Sequence, residues 1–215
     1  MSNKKTLSKL KSKEREARRS LIVDAAERVF STKPHDKVSM REIAEEAGIG
    51  VSSIYTYFPN QETLFVETTL RGINDFIDRV QKISEKTNKK KMIYKVIQAF
   101  IDYISRHDSY FRMMVLFMSQ GNLTDESLEK LNSIMRTTLD LFEDIFKSIN
   151  FKGNTRHLSH YFFATLNGIL VTYRKLPGRN EEEVIKHMHD LGKLMGRMIL
   201  EMSDEKEDIV LLLKN

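Results

Sequence analysis

The chain has 215 residues, 40% apolar and 30% charged, enough for one large domain or two modest ones without a disulfide or structural metal. It lacks cysteine, which excludes disulfide frameworks, thiol nucleophiles and Cys-ligated zinc or iron–sulfur sites. No apolar run approaches the roughly 18 residues of a membrane span, and MSNKKTLSKLKSKEREARRS has no secretory apolar core, so a cytoplasmic protein without a membrane partner is expected.

Residues 1–20 carry eight bases (Lys4, Lys5, Lys9, Lys11, Lys13, Arg15, Arg18, Arg19) against two acids, leaving 27 bases and 28 acids for the rest. A basic arm on a near-neutral body suits a polyanion, either nucleic acid or an anionic membrane. Only Leu7, Leu10 and Ala17 accompany the bases, too little apolar bulk for a lipid-binding helix, so nucleic acid is favoured. Residues 1–13 read as a flexible arm. Leu21, Ile22, Ala25, Ala26, Val29 and Phe30 then repeat at helical spacing and predict a helix from about 14 to 32.

Ser39 opens a second helix, with Glu42 three residues later completing a capping box, and Gly48 ends it after about two turns. A third short helix, about 51–57, stops ahead of Pro59. Asn60 caps a longer one over about 61–84, and polar residues 85–91 read as a loop. Further helices are predicted near 92–106, 109–119, 125–149, 155–175 and 181–202, with an ambiguous tail after them. The fold class is all-α with about nine helices. The domain division is an arm (1–13), a DNA-binding domain (14–60), a connecting helix (61–84), a larger body (85–203) and a tail (204–215).

Ser39–Phe58, SMREIAEEAGIGVSSIYTYF, meets the packing needs of a helix-turn-helix. Ala44 is the small residue where two short helices cross. Gly48, four residues on, supplies a turn at positive φ without a Cβ penalty. Ile43, Ala47, Ile49 and Ile54 fall where side chains fill the wedge.

With IVDAAERVF before it and PNQETLF after it, this block resembles the DNA-binding domain of the tetracycline-repressor (TetR) family of bacterial one-component regulators. The helical layout and length extend the resemblance to the whole chain, although the specific motifs stop near residue 70. The resemblance implies that the second helix of the motif enters the major groove of an operator duplex. Val51, Ser52, Ser53, Tyr55, Thr56 and Tyr57 would then touch the DNA, with Ser39, Met40 and Arg41 near the backbone. Gly50 stands where relatives often have a hydroxyl N-cap, and Ser52 where a glycine is frequent. Gln61 stands where a lysine is common, so the arm (Lys9, Lys11, Lys13, Arg15, Arg18, Arg19) is expected to supply more phosphate contact. The recognition helix holds no Arg, Lys, Asn or Gln, so readout falls to hydroxyls, thymine-methyl packing and DNA shape.

Residues 85–203 carry no catalytic motif, and no Glu-x-x-His occurs among the six histidines, so neither an enzyme, a metal nor a cofactor is expected. By resemblance, the body binds a small-molecule effector. The stripe around Phe100, Tyr103, Phe111, Met114, Met118 and Phe142 suits a hydrophobic one, and His107, Arg112, Asn167 and Tyr173 are polar candidates to orient it. Without the resemblance, such a stripe is ordinary core. The last two helices resemble the family's dimerisation pair, with Leu158, Phe162, Leu166, Ile169, Leu191, Met195 and Met198 as candidate interface residues of a homodimer. Gly168, Gly192 and Gly196 suit close approach either across that interface or within the chain. The expected function is a repressor released from a palindromic operator by a hydrophobic effector; the rival is a helical-bundle enzyme or carrier.

Overall fold

Most helix starts follow from a side-chain oxygen placed just ahead of an apolar stripe. The computed structural model describes residues 2–33, 37–107, 111 and 123–204, and among these it holds eight helices and no strand. They are α1 (Ser2–Thr32), α2 (Met40–Glu46), α3 (Val51–Ile54), α4 (Gln61–Lys86), α5 (Lys89–Arg106), α6 (Asp125–Ser148), α7 (Thr155–Tyr173) and α8 (Glu181–Asp204). Ser39, Asn88 and Asn154 cap α2, α5 and α7, accepting the N–H groups of Glu42, Lys90 and His157. Asn60 Oδ1 takes the Thr63 N–H at 2.8 Å at the head of α4. Asn180 and Glu183 exchange side-chain and backbone bonds at the head of α8, whose first turn holds three glutamates.

Two units form, Met1–Gly72 with Asp108–Lys130 and Ile73–His107 with Leu131–Asn215, so α4 and α6 each contribute to both. In the first unit, Ile22, Ala25, Ala26 and Phe30 of α1 are buried with Ile43, Ala44, Ile54, Phe58, Leu64 and Phe65. Phe30 meets Phe65 edge-on at 5.1 Å. Arg71 bridges from α4 to Asp24 and Glu27 of α1, and Thr124 donates through N and Oγ1 to Glu62 Oε1 at 2.9 and 2.7 Å.

In the second unit α5 lies along α8, and α7 packs on both. A Cβ at Gly192 would overlap Ile97, and one at Gly196 would meet Tyr94 Cε1 at 3.0 Å and Ile97 Cδ1 at 3.1 Å. These two glycines therefore serve packing within the chain. Gly168 has nothing within 4 Å of its Cβ position. Phe162 receives Phe142 and Phe146 edge-on at 5.0 and 5.3 Å, and Phe76 meets Phe100 at 5.2 Å. Asn150, in the left-handed region at φ 61, ends α6 while the Phe151 N–H returns to Phe146 O.

Three expectations change. The basic segment is helical from Ser2, not a flexible arm; the sequence signal missed it because a polar stretch lacks periodicity. The polar loop of 85–91 shrinks to Thr87 and Asn88, since Lys and Glu are good helix formers and Asn88 caps α5. The third helix is only Val51–Ile54, continued to Phe58 by i+3 turns, consistent with the absence of a side-chain cap at Gly50. The helix predicted over 109–119 lies outside the described residues except for Phe111, as does the tail from 205.

Candidate nucleic-acid interface

The helix-turn-helix is built by a capped start, a left-handed stop and a small residue at the crossing. Ser39 Oγ accepts the Glu42 N–H, and Glu42 Oε2 accepts the Ser39 N–H at 2.9 Å. Lys33 bonds Glu42 as well. That bond, with the Ser39 N–H, holds the Glu42 carboxyl below the usual carboxylate range. At the other end, Gly48 has φ 68, its N–H bonds Glu45 O at 3.1 Å, and the Ile49 N–H bonds Ala44 O at 3.0 Å. Ala44, Ile43 and Ile54 are fully buried; Ala47 and Ile49 are half-buried.

With its inner face committed, the motif leaves Val51, Ser52, Ser53, Tyr55 and Thr56 exposed and Tyr57 half-buried. This surface bears hydroxyls, one branched aliphatic and aromatic rings, and no acid. Gly50 and Ser39 are exposed at its edge. Arg41 is exposed and pairs with Glu45 at 3.0 Å; Met40 is buried, so its side chain serves the domain core instead of the outer surface. Gln61 is half-buried at the head of α4. On α1, Lys13 and Arg15 are exposed and Arg18 pairs with Glu14 at 2.7 Å. Arg19 differs, since it bonds Glu67 at 2.8 Å and lies 4.8 Å from the Phe58 ring centre, a structural tie. Sequence reasoning had no signal for that tie, because its partners lie 39 and 48 residues away.

The candidate effector residues divide. Phe100, Tyr103 and Phe142 are buried in the second unit, and Tyr103 stacks on His107 at 4.4 Å. Tyr173 meets the His187 ring edge-on. Asn167 is buried; its Nδ2 donates to Phe163 O at 2.7 Å, while Oδ1 has no partner among the described residues. Phe111 falls in the first unit, and Arg112, Met114 and Met118 lie outside the described residues.

The candidate dimer residues fall into two groups. Leu158, Phe162, Leu166, Ile169 and Met195 are buried inside the second unit, on the faces that α7 and α8 use for the chain's own core. Leu191 is half-buried and Met198 half-exposed. The outward apolar residues are Tyr161, Val171, Leu194 and Met198, with Ala164 and Gly168 between them.

Among the described residues no group of three His, Asp or Glu is arranged to hold a metal, and no helix is long and apolar enough to cross a membrane.

Residues 22–68 match the family model described as bacterial regulatory proteins, tetR family. The chain is 27% identical over 125 residues to a fatty acid metabolism regulator protein of Bacillus subtilis (strain 168), covering 58% of this chain and 63% of that protein's length. Two solved structures share the fold. One is the transcriptional regulator FadR from Bacillus subtilis in complex with stearoyl-CoA (TM-score 0.70, 22% identity, 85% of this chain and 98% of that one). The other is the fatty acid degradation regulator FadR from Bacillus halodurans (TM-score 0.68, 19% identity, 88% and 97%). These relatives are regulators, not enzymes or carriers. The matched segment and the helix-turn-helix geometry coincide, so residues 22–68 carry the DNA-binding segment described for the tetR family of bacterial regulatory proteins.

Proposed function

We propose that this protein is a cytoplasmic repressor that holds a palindromic operator as a homodimer and releases it on binding a long-chain acyl thioester. The carrying observation is the helix-turn-helix itself, with buried Ala44 at the crossing, Gly48 at φ 68 and an exposed, acid-free surface from Val51 to Tyr57. Such a surface on two copies reads half-sites about 34–36 Å apart.

The second copy is supported by the α7–α8 hairpin. A glycine in a helix interior costs about 0.5–1 kcal/mol relative to alanine, and nothing among the described residues lies within 4 Å of a Cβ at Gly168 to justify it. Tyr161 and Val171 of the same helix, and Leu194 and Met198 of α8, are all about half exposed. A twofold contact that brings two α7 helices together at Gly168 uses both features.

The effector class is supported by the relative whose solved structure holds stearoyl-CoA and by the apolar, aromatic interior of the second unit. Asn167 offers a buried acceptor for a polar group of such a ligand. The ligand acts by a population shift, fitting one spacing of the DNA-binding heads better than the other. The test is a duplex selected from a random pool by the full-length protein, titrated with stearoyl-CoA and with acetyl-CoA. Release by stearoyl-CoA alone, with two protomers per duplex, is expected. Release by neither compound, or by acetyl-CoA alone, rejects the long acyl chain as the signal.

A further inference from the structure

The face of α1 that buries Ile22, Ala25 and Ala26 does not end where the domain core ends. Arg18, Arg15 and Lys11 lie four, seven and eleven residues before Ile22, so they continue the same helical stripe toward the N-terminus. From Leu7 to Arg18 every side chain is exposed. A helix exposed on every side draws no stability from burial. Its core-facing stripe has become cationic at the point where protein runs out.

That stripe bounds a cleft. Lys11, Glu14, Arg15 and Arg18 form one wall, and Thr56 and Tyr57, at the end of the recognition segment, form the other, enclosing about 310 Å³. Three cations and two hydroxyls are donors suited to a phosphodiester. Glu14 is the exception, its Oε1 2.7 Å from Arg18 Nη2 with both side chains 60% exposed. An ion pair this exposed is weak, so a phosphate competes with it for Arg18.

We propose that the α1 extension is a helical rail for the DNA backbone, that the Lys11–Arg15–Arg18 cleft seats a backbone phosphate beside the recognition segment, and that Glu14 opposes this seating by occupying Arg18. The inference rests on the reading of the chain as a duplex-DNA binder. It assigns to the rail the backbone contact that neutral Gln61 cannot supply as a charge.

The experiment measures affinity against salt concentration for the full-length protein on a duplex selected from a random pool and on an unrelated duplex. Replacing Lys11, Arg15 and Arg18 together by Ala should weaken both duplexes alike. For the one phosphate seated in the cleft, the slope of log K on log salt should flatten by about 0.9, so a fourfold rise in salt shrinks the wild-type advantage by about 3.5-fold. Glu14→Gln should tighten both duplexes and leave the preference between them unchanged. All four side chains are exposed, and an unaltered melting temperature checks the fold. An unchanged slope in the triple variant, or weaker binding by Glu14→Gln, overturns the proposal. So does an arm effect seen only as lost retention on phosphatidylserine vesicles, which would assign the rail to a membrane. If the wild-type chain binds neither duplex, the functional reading itself falls, a result separate from all of these.

Discussion

Glu42 links the start of α2 to the preceding turn through a carboxylate that accepts from Lys33 and from the Ser39 N–H. Both partners favour the ionised form, so the folded-state pKa lies below the unfolded one. The resulting stability is complete above the unfolded carboxylate range and is lost as the pH falls through the lowered folded value. Acid should therefore loosen the helix-turn-helix through this group, and Glu42→Gln should flatten the acid limb of its stability curve, followed by hydrogen exchange at Ile43 and Ala44. An unchanged acid limb would show that the cap draws nothing from the charge. The capping pair itself is visible in the sequence as Ser39 and Glu42 at their fixed spacing; the contribution of Lys33, nine residues away, is not.

Helix packing separates glycines that look alike in sequence. Gly192 and Gly196 sit on α8 where α5 presses Ile97, Ile101 and Tyr94 against its backbone. Gly192→Val places branched carbons into Ile97, and overpacking of this kind typically costs about 1–3 kcal/mol. Urea unfolding of the variant should show that loss with an unchanged m-value. Wild-type stability would mean that α5 and α8 are not in contact at this level. The α2–α3 pair behaves differently, because nothing lies within 4 Å of a Cβ at Gly48 and its requirement is purely conformational. The left-handed backbone at φ 68 disfavours an L-residue by roughly 1–2 kcal/mol.

At the scale of the molecule, the proposed regulation needs two reading heads held at one spacing and moved to another. The outward residues of α7, Gly168 among them, and of α8 are where a second copy is proposed to sit. Gly168→Glu would place two like charges near the proposed twofold axis, with nothing among the described residues within 4 Å of its Cβ. Sedimentation should then show a monomer of 25.1 kDa with wild-type helical content, and affinity for the selected duplex should fall. A dimer that persists with full affinity would move the interface elsewhere.

Local chemistry made much of this legible in advance. Ser39 with Glu42, Asn60, Gly48 and the spacing of Ala44, Gly48 and Ile54 each act within a few residues, where geometry follows from covalent connectivity. Those signals gave the order of the described helices and the helix-turn-helix that leaves Val51, Ser52, Ser53, Tyr55 and Thr56 exposed. The tertiary structure decided which of two apolar faces on a helix meets its own chain. Leu158, Phe162, Leu166, Ile169 and Met195 form a convincing stripe, yet they are buried in the second unit, while Tyr161, Val171, Leu194 and Met198 point outward. It also decided that Arg19 is tied to Glu67 and Phe58, and that the basic stripe of α1 shares a cleft with Thr56 and Tyr57. The reason is physical: periodicity fixes which residues share a face, whereas the partner of that face depends on contacts between residues distant in the chain.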